Sequence, residues 1–269
     1  MECLASPRET AVRRHPPLVR RGYWARVAAT RALASRFGDA AREGRFNVVN
    51  LGCGYDSIGL WILDAHPRAR VVEMDVEAVR TARLERLRAA GVERDAASYE
   101  VVACEVRERG AIQRALNGLS APFDWTLPTL VMAECVLAYL PSGTSDEVVR
   151  FFGERCSSGA FVSYDPIEPD DAFGKQMMRN VESRGCAFAG IRDAASVSGA
   201  RARFERNGWR RARAYNMNEV YARLDPVERA RIERIDLFDE FEEWRLILAH
   251  YCVSFGVNGD ESLADFDLC

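Results

Sequence analysis

The segment Asn50-Leu51-Gly52-Cys53-Gly54-Tyr55-Asp56 closes an apolar run, residues 46–51, and sets two glycines where a strand would end. Paired glycines let a backbone turn approach a ligand that any Cβ would obstruct. Asp75 stands 21 residues after Gly54, at the end of the next apolar run, where a carboxylate can accept both hydroxyls of a ribose. Together they read as a nucleoside-binding turn, open to NAD or to S-adenosylmethionine. The third glycine of a dinucleotide fingerprint would fall at position 57, which is Ser57, so the helix after the turn need not approach a pyrophosphate. That favours a cofactor with no phosphates, of which S-adenosylmethionine is the commonest on such a fold. Two later positions fit it: the Glu105-Val106 pair could hold an adenine edge, and Glu134 could meet the cofactor's amino-acid end.

These residues share a site only if their strands end on one rim. Residues 46–51, 70–76, 99–106, 129–135 and 160–167 read as strands, with helices over 57–65, 77–90 and about 142–156 between them. Near-continuous apolar strands spaced by helices indicate a parallel sheet covered on both faces, with ligand at the carboxyl ends of the strands. The expected architecture is a Rossmann-like α/β methyltransferase fold, a mostly parallel seven-stranded sheet with helices on both faces. In the C-terminal third, helices are expected over 173–184, 196–207 and 225–245. Strands near 209–215 and 250–257 should finish the sheet as an antiparallel pair. The chain reads as one domain, 1–269, with a poorly ordered arm over 1–20 and a helical cover from about 168 to 245.

Composition narrows the function classes. Apolar residues make up 48% and charged residues 29% of 269, ordinary for a globular protein, and no apolar run approaches the roughly 20 residues that cross a bilayer. The N-terminus lacks the apolar core of a secretory signal, so a cytoplasmic location is expected. The net charge of -3 conceals a basic stretch over 8–45 and an acidic one over 219–267. The basic stretch reads as a solvated helix face, since no RNA motif accompanies it; neither nucleic acid nor membrane is an expected partner. Eight scattered cysteines with no C-x-x-C pair, beside three histidines, imply neither a metal site nor a disulfide framework.

Longer motifs then carry a resemblance. Arg20-Arg21-Gly22-Tyr23-Trp24-Ala25-Arg26-Val27, the Asn50 to Asp56 turn, Val72-Glu73-Met74-Asp75 and the run 127–140, with Ala133-Glu134-Cys135-Val136-Leu137 and Tyr139 in it, resemble the leucine carboxyl methyltransferase family. So, in the same order, do Phe173-Gly174-Lys175-Gln176, Asn207-Gly208-Trp209 and His250-Tyr251-Cys252. The resemblance implies cofactor contacts at Arg21, Gly52, Asp75, Glu105, Val106 and Glu134, to which the glycine turn adds Gly54. It also implies a substrate, the C-terminal leucine carboxylate of the type 2A protein phosphatase catalytic subunit. The chain departs from the family at Glu105, where aspartate is usual, and it lacks an N-terminal segment that family members carry, with a lysine near the cofactor.

A carboxylate with a reference pKa of about 3.5 is ionised near neutral pH, so its methylation requires no general base. The catalytic task is to strip water from a weak nucleophile and aim it. Arg21 and Tyr139 are the residues expected to hold the carboxylate, a guanidinium fork matching two oxygens and a phenol adding a third bond. Two alternatives stay open: an acceptor carboxyl on a transfer-RNA base or small molecule, and a non-catalytic protein that grips the phosphatase tail.

Overall fold

The computed structural model describes residues 15–259 and 261–268. Residues 1–14, most of the arm expected at the N-terminus, lie outside the described residues, as does Cys269. The strands are β1 (Asn47–Leu51), β2 (Arg70–Asp75), β3 (Tyr99–Ala103), β4 (Thr129–Glu134), β5 (Gly159–Pro166), β6 (Arg211–Asn216) and β7 (Tyr251–Asn258). They form one sheet in the order β3-β2-β1-β4-β5-β7-β6. β1 to β5 are parallel, and β7 runs antiparallel to β5 on one side and to β6 on the other. The expected mostly parallel seven-stranded sheet is present, and the two last strands pair antiparallel as expected. The later of the two is the inner one.

The helices are α1 (Pro17–Ala40), α2 (Ile58–Ala65), α3 (Glu77–Ala89), α4 (Ala111–Asn117), α5 (Thr144–Arg155), α6 (Ala172–Glu182), α7 (Val197–Arg206), α8 (Met217–Arg223), α9 (Pro226–Glu233) and α10 (Phe241–Ala249). Strand side chains alternate between two cores, as period-two geometry demands. Val48, Val71, Leu130 and Val162 face α1, α2, α8 and α10, whereas Val49, Val72, Val131 and Phe161 face α4, α5 and α7.

α1 starts with Pro17 in its first turn, where a missing N–H costs nothing. The last residues of the expected arm therefore belong to a 24-residue helix. Its buried stripe, Arg21, Ala25, Ala29, Leu33 and Phe37, repeats every fourth residue. Phe37 packs on Phe46 just before β1, so α1 runs against the strands and its N-terminal half lies at their carboxyl ends. Burying Leu33 and Phe37 contributes about 1.5–3 kcal/mol each, which anchors the helix at the far end from the rim.

Two expectations for the C-terminal third are corrected. The helix expected over 225–245 is two helices, α9 and α10, because residues between them turn Phe238 beneath Arg21 and bring Asp236 to Arg20. The cover expected over 168–245 is divided: α7 packs on the sheet through Phe204, which meets Phe161, and α8 and α10 join the core beside α1. Only α6 and the turn over Ile191–Ala194 stay at the rim, clustered around Ala138 and Phe188.

No helix among the described residues is long and apolar enough to cross a membrane.

Candidate active site

Gly52 and Gly54 both take positive φ, 60° and 53°, but for different reasons. A Cβ on Gly52 would sit 2.5 Å from Val136 Cγ2, so the glycine permits contact with the loop after β4. A Cβ on Gly54 would meet nothing within 4 Å; that side of the turn opens outward. The Gly54 N–H donates to Asp75 Oδ2 at 2.8 Å and Val76 N–H to Oδ1 at 2.8 Å. Both oxygens of Asp75 are thus fixed by backbone while keeping lone pairs for other donors.

Glu134 ends β4 with its side chain 8% exposed. Burial pushes its carboxyl up, opposed by Arg26, whose Nε donates to Glu134 Oε2 at 2.6 Å. The Arg26 guanidinium lies 3.8 Å from Cys135 Sγ and stands 5.2 Å over the Tyr164 ring. Burial works against its charge, but Cys135 and Glu134 hold its pKa above the usual value. Cys135 itself takes a positive φ of 56°, a conformation costly for a side-chain-bearing residue and frequent at functional sites. Arg26, Glu134, Tyr23, Tyr55, Asp56 and Ser57 line a cavity of about 330 Å³ at this rim. Hollows of about 350 Å³ between α4 and α5 and about 620 Å³ along β6 contain none of these groups.

Arg21 is placed elsewhere. It is buried, with its guanidinium 3.9 Å over the Phe238 ring, and among the described residues it donates no hydrogen bond to Glu134 or Tyr139. Five residues separate it from Arg26, a rotation of about 140° around a helix, so one helix cannot direct both into the same cavity. Arg26 is the arginine the fold brings to the rim. It was present in the motif that carried the resemblance, and the signal that selects it is its place beside, rather than within, the stripe Ala25, Ala29 and Leu33.

Tyr139 lies in a 3-10 turn, Leu137–Tyr139, directly after β4. It is 38% exposed, and its ring centroid is 4.7 Å from that of Phe188. Ala138 N–H donates to the buried Asp165 at 3.1 Å, and Ala138 C=O accepts from Gly190 N–H at 2.9 Å. Tyr164 and Tyr251 stack at 5.2 Å and 11° beneath Arg26, and Tyr251 packs against the cluster of Ala138 and Phe188 beside Tyr139. An aromatic shelf thus runs from the cavity to Tyr139; Tyr164 and Tyr251 were not among the expected site residues.

Glu105 is drawn to Arg107, which donates to both its oxygens at 2.9 and 3.0 Å and holds its carboxyl low, chiefly by those hydrogen bonds. Val106 is buried in the second core with Ile112, so its side chain contributes packing rather than a polar edge. The structure therefore brings Gly52, Gly54, Asp75, Glu134 and Arg26 to one rim, sets Tyr139 on the neighbouring turn, and turns Arg21 away. Among the described residues no three His, Cys, Asp or Glu side chains are grouped to hold a metal ion.

The chain is similar to known proteins. Residues 3–153 match the family model described as Leucine carboxyl methyltransferase. The chain is 35% identical over 263 residues to a Leucine carboxyl methyltransferase 1 homolog of Arabidopsis thaliana, covering 91% of this chain and 79% of that protein. To Leucine carboxyl methyltransferase 1 of Bos taurus it is 29% identical over 272 residues, 93% and 80% of the two chains. To human tRNA wybutosine-synthesizing protein 4 it is 31% identical over 271 residues, 92% of this chain but 39% of that protein. Among solved structures, a duf574 family protein from Streptomyces avermitilis superposes with a TM-score of 0.62 at 14% identity, covering 87% and 82% of the two chains. An O-methyltransferase family protein from Burkholderia thailandensis gives 0.54 at 12%, covering 91% and 57%. Likeness at such identity concerns the fold alone.

Proposed function

This chain belongs to the leucine carboxyl methyltransferase family, and from that premise we propose that it transfers methyl from S-adenosylmethionine to the α-carboxylate of a C-terminal leucine, that of the type 2A protein phosphatase catalytic subunit. The Arg26–Glu134 pair at the cavity wall, beside the Gly52–Gly54 turn and one shelf away from Tyr139, is the observation that carries this reading.

The donors and acceptors present suit the cofactor. Asp75, with its two oxygens oriented by amides, suits a pair of ribose hydroxyls. Glu134 and Asp56 are acceptors for an ammonium, and Arg26 is a donor for a carboxylate. Asn50, 1% exposed, lies against Asp56 and helps to lower a carboxyl that burial pushes up. When bound, S-adenosylmethionine supplies an electrophilic methyl on a sulfonium.

The chain's residues then have three tasks. Arg26, its Nε committed to Glu134 and one Nη1 hydrogen to Cys135 Sγ, keeps its remaining terminal N–H groups for a carboxylate, and Tyr139 adds a hydroxyl donor from the next turn. Arg26 takes the place first expected of Arg21. The shelf of Tyr164, Tyr251 and Phe188 excludes water from the acceptor oxygen, raising its reactivity and the strength of each polar contact. No group needs to remove a proton, because the acceptor is already a carboxylate.

The similarity to tRNA wybutosine-synthesizing protein 4 favours a second reading, a transfer-RNA acceptor. The test is transfer of labelled methyl to the phosphatase subunit, to the same subunit lacking its terminal leucine, and to transfer RNA. Base-labile label on the intact subunit alone is expected. Label on transfer RNA and none on the subunit would replace the first reading with the second.

A further inference from the structure

α3 carries Arg80, Arg83, Arg86 and Arg88, and of these Arg83 is buried, 3% exposed. Placing a guanidinium there is costly unless it is paired, and of its donors only the Nε has no partner among the described residues. Its Nη2 pairs with Glu73 Oε2 on β2 at 2.5 Å and lies 3.3 Å from the Tyr99 hydroxyl of β3, which itself donates to Glu73. Its Nη1 donates to two main-chain carbonyls of the cofactor turn, Gly54 O at 3.2 Å and Asp56 O at 2.7 Å. Gly59 in the first turn of α2 leaves room for Glu73, since a Cβ there would collide with Oε1.

We propose that Arg83 is a positioning residue for the cofactor site, a buried cation that fixes the conformation of the 52–56 turn from behind; the assignment rests on the S-adenosylmethionine reading above. In a trans peptide the C=O and the next N–H point in opposite directions. Drawing the carbonyls of Gly54 and Asp56 inward to Arg83 therefore directs the amides of Tyr55 and Ser57 away from it. Asp75 holds the same turn from the other side through Gly54 N–H. The turn is pinned by a cation at its carbonyls and an anion at its amide, and it keeps its shape before any ligand arrives.

Calorimetric titration with S-adenosylmethionine separates this role from a contribution to stability alone. Arg83→Met leaves Glu73 buried without a counter-charge and risks the fold, so the deciding variant is Arg83→Met with Glu73→Met, which removes both charges together. The double variant should fold, bind the cofactor at least tenfold more weakly, and exchange the amides of 53–57 faster. Arg83→Lys, which keeps the charge but cannot span both carbonyls and Glu73, should fall between it and wild type. Arg88→Met, at an exposed position of the same helix, should bind as wild type does. A double variant that binds within twofold of wild type overturns the proposal. Wild type that binds no S-adenosylmethionine overturns the cofactor reading instead. Hydrogen exchange of the ligand-free proteins then still decides the clamp, which fails if protection at 53–57 is the same in wild type and double variant.

Discussion

The two halves of the rim are built on different principles. The cofactor half, the turn after β1 with Asp75 and Arg83, is held by main-chain hydrogen bonds to a half-buried carboxylate and a buried guanidinium. In the acceptor half Tyr139 sits 38% exposed on a short turn, while Leu237, before α10, and Phe241, at its start, are 94% and 52% exposed. A cofactor has one shape, so its site can be rigid in advance and pays little ordering entropy at binding. The acceptor proposed above, a protein chain end, would have to enter, so groups that greet it could not all be buried. Arg26 and Glu134 lie on the border and serve both halves.

That border is where a substitution should cost most. Glu134→Ala leaves Arg26 in the cavity wall without its partner, and breaking a buried pair costs about 3–5 kcal/mol. kcat/KM for methyl transfer should fall by about two to three orders of magnitude. A loss under tenfold would mean that the pair does not join the two halves. Asp75→Ala should act on one half only: calorimetry should find S-adenosylmethionine binding weakened at least tenfold, about 1.4 kcal/mol, with acceptor KM unchanged. If acceptor KM rises equally, the halves are not separable. Tyr139→Phe is the converse, removing one hydrogen bond of about 1–2 kcal/mol. Acceptor KM should rise roughly 5- to 30-fold while cofactor affinity stays put, and a change in cofactor affinity alone would move Tyr139 into the wrong half.

The same division separates what the sequence made legible from what it did not. The glycine turn, Asp75 and Glu134 were readable because each depends on a strand end, and strand ends follow from apolar runs and turn residues close in sequence. The acceptor half depends on how distant elements dock. Residues 225–245 have no proline or glycine between α9 and α10 to interrupt the helical pattern, yet Phe238 leaves the helix to lie under Arg21. The place of β7 beside β5 was not assigned, although β6, RARAYN, is exposed and charged along one face as an edge strand is and β7, YCVSFGVN, is buried almost throughout. Glu105 was a carboxylate at a strand end like Asp75, but Arg107 two residues on provides a local partner that draws it aside. Arg83 gave no sign of its burial, since nothing in an arginine-rich helix distinguishes the one that faces Glu73.

Arg21 offers the smallest and most discriminating test of the comparison. It belongs to the motif that first pointed to a carboxylate clamp, but its guanidinium lies 3.9 Å over the Phe238 ring, linking α1 to the segment before α10. Arg21→Lys keeps the charge and loses the planar stacking surface. If Arg21 acts only through that packing, the loss is one partly buried cation–π contact, about 0.5–2 kcal/mol, seen as a lower melting temperature. kcat/KM at a temperature where the variant is fully folded should change less than threefold, because neither Glu134 nor Asp75 depends on it. A drop of a hundredfold in a folded variant would restore Arg21 as the clamp and require α1 to turn, since no single setting of that helix directs both residues into one cavity.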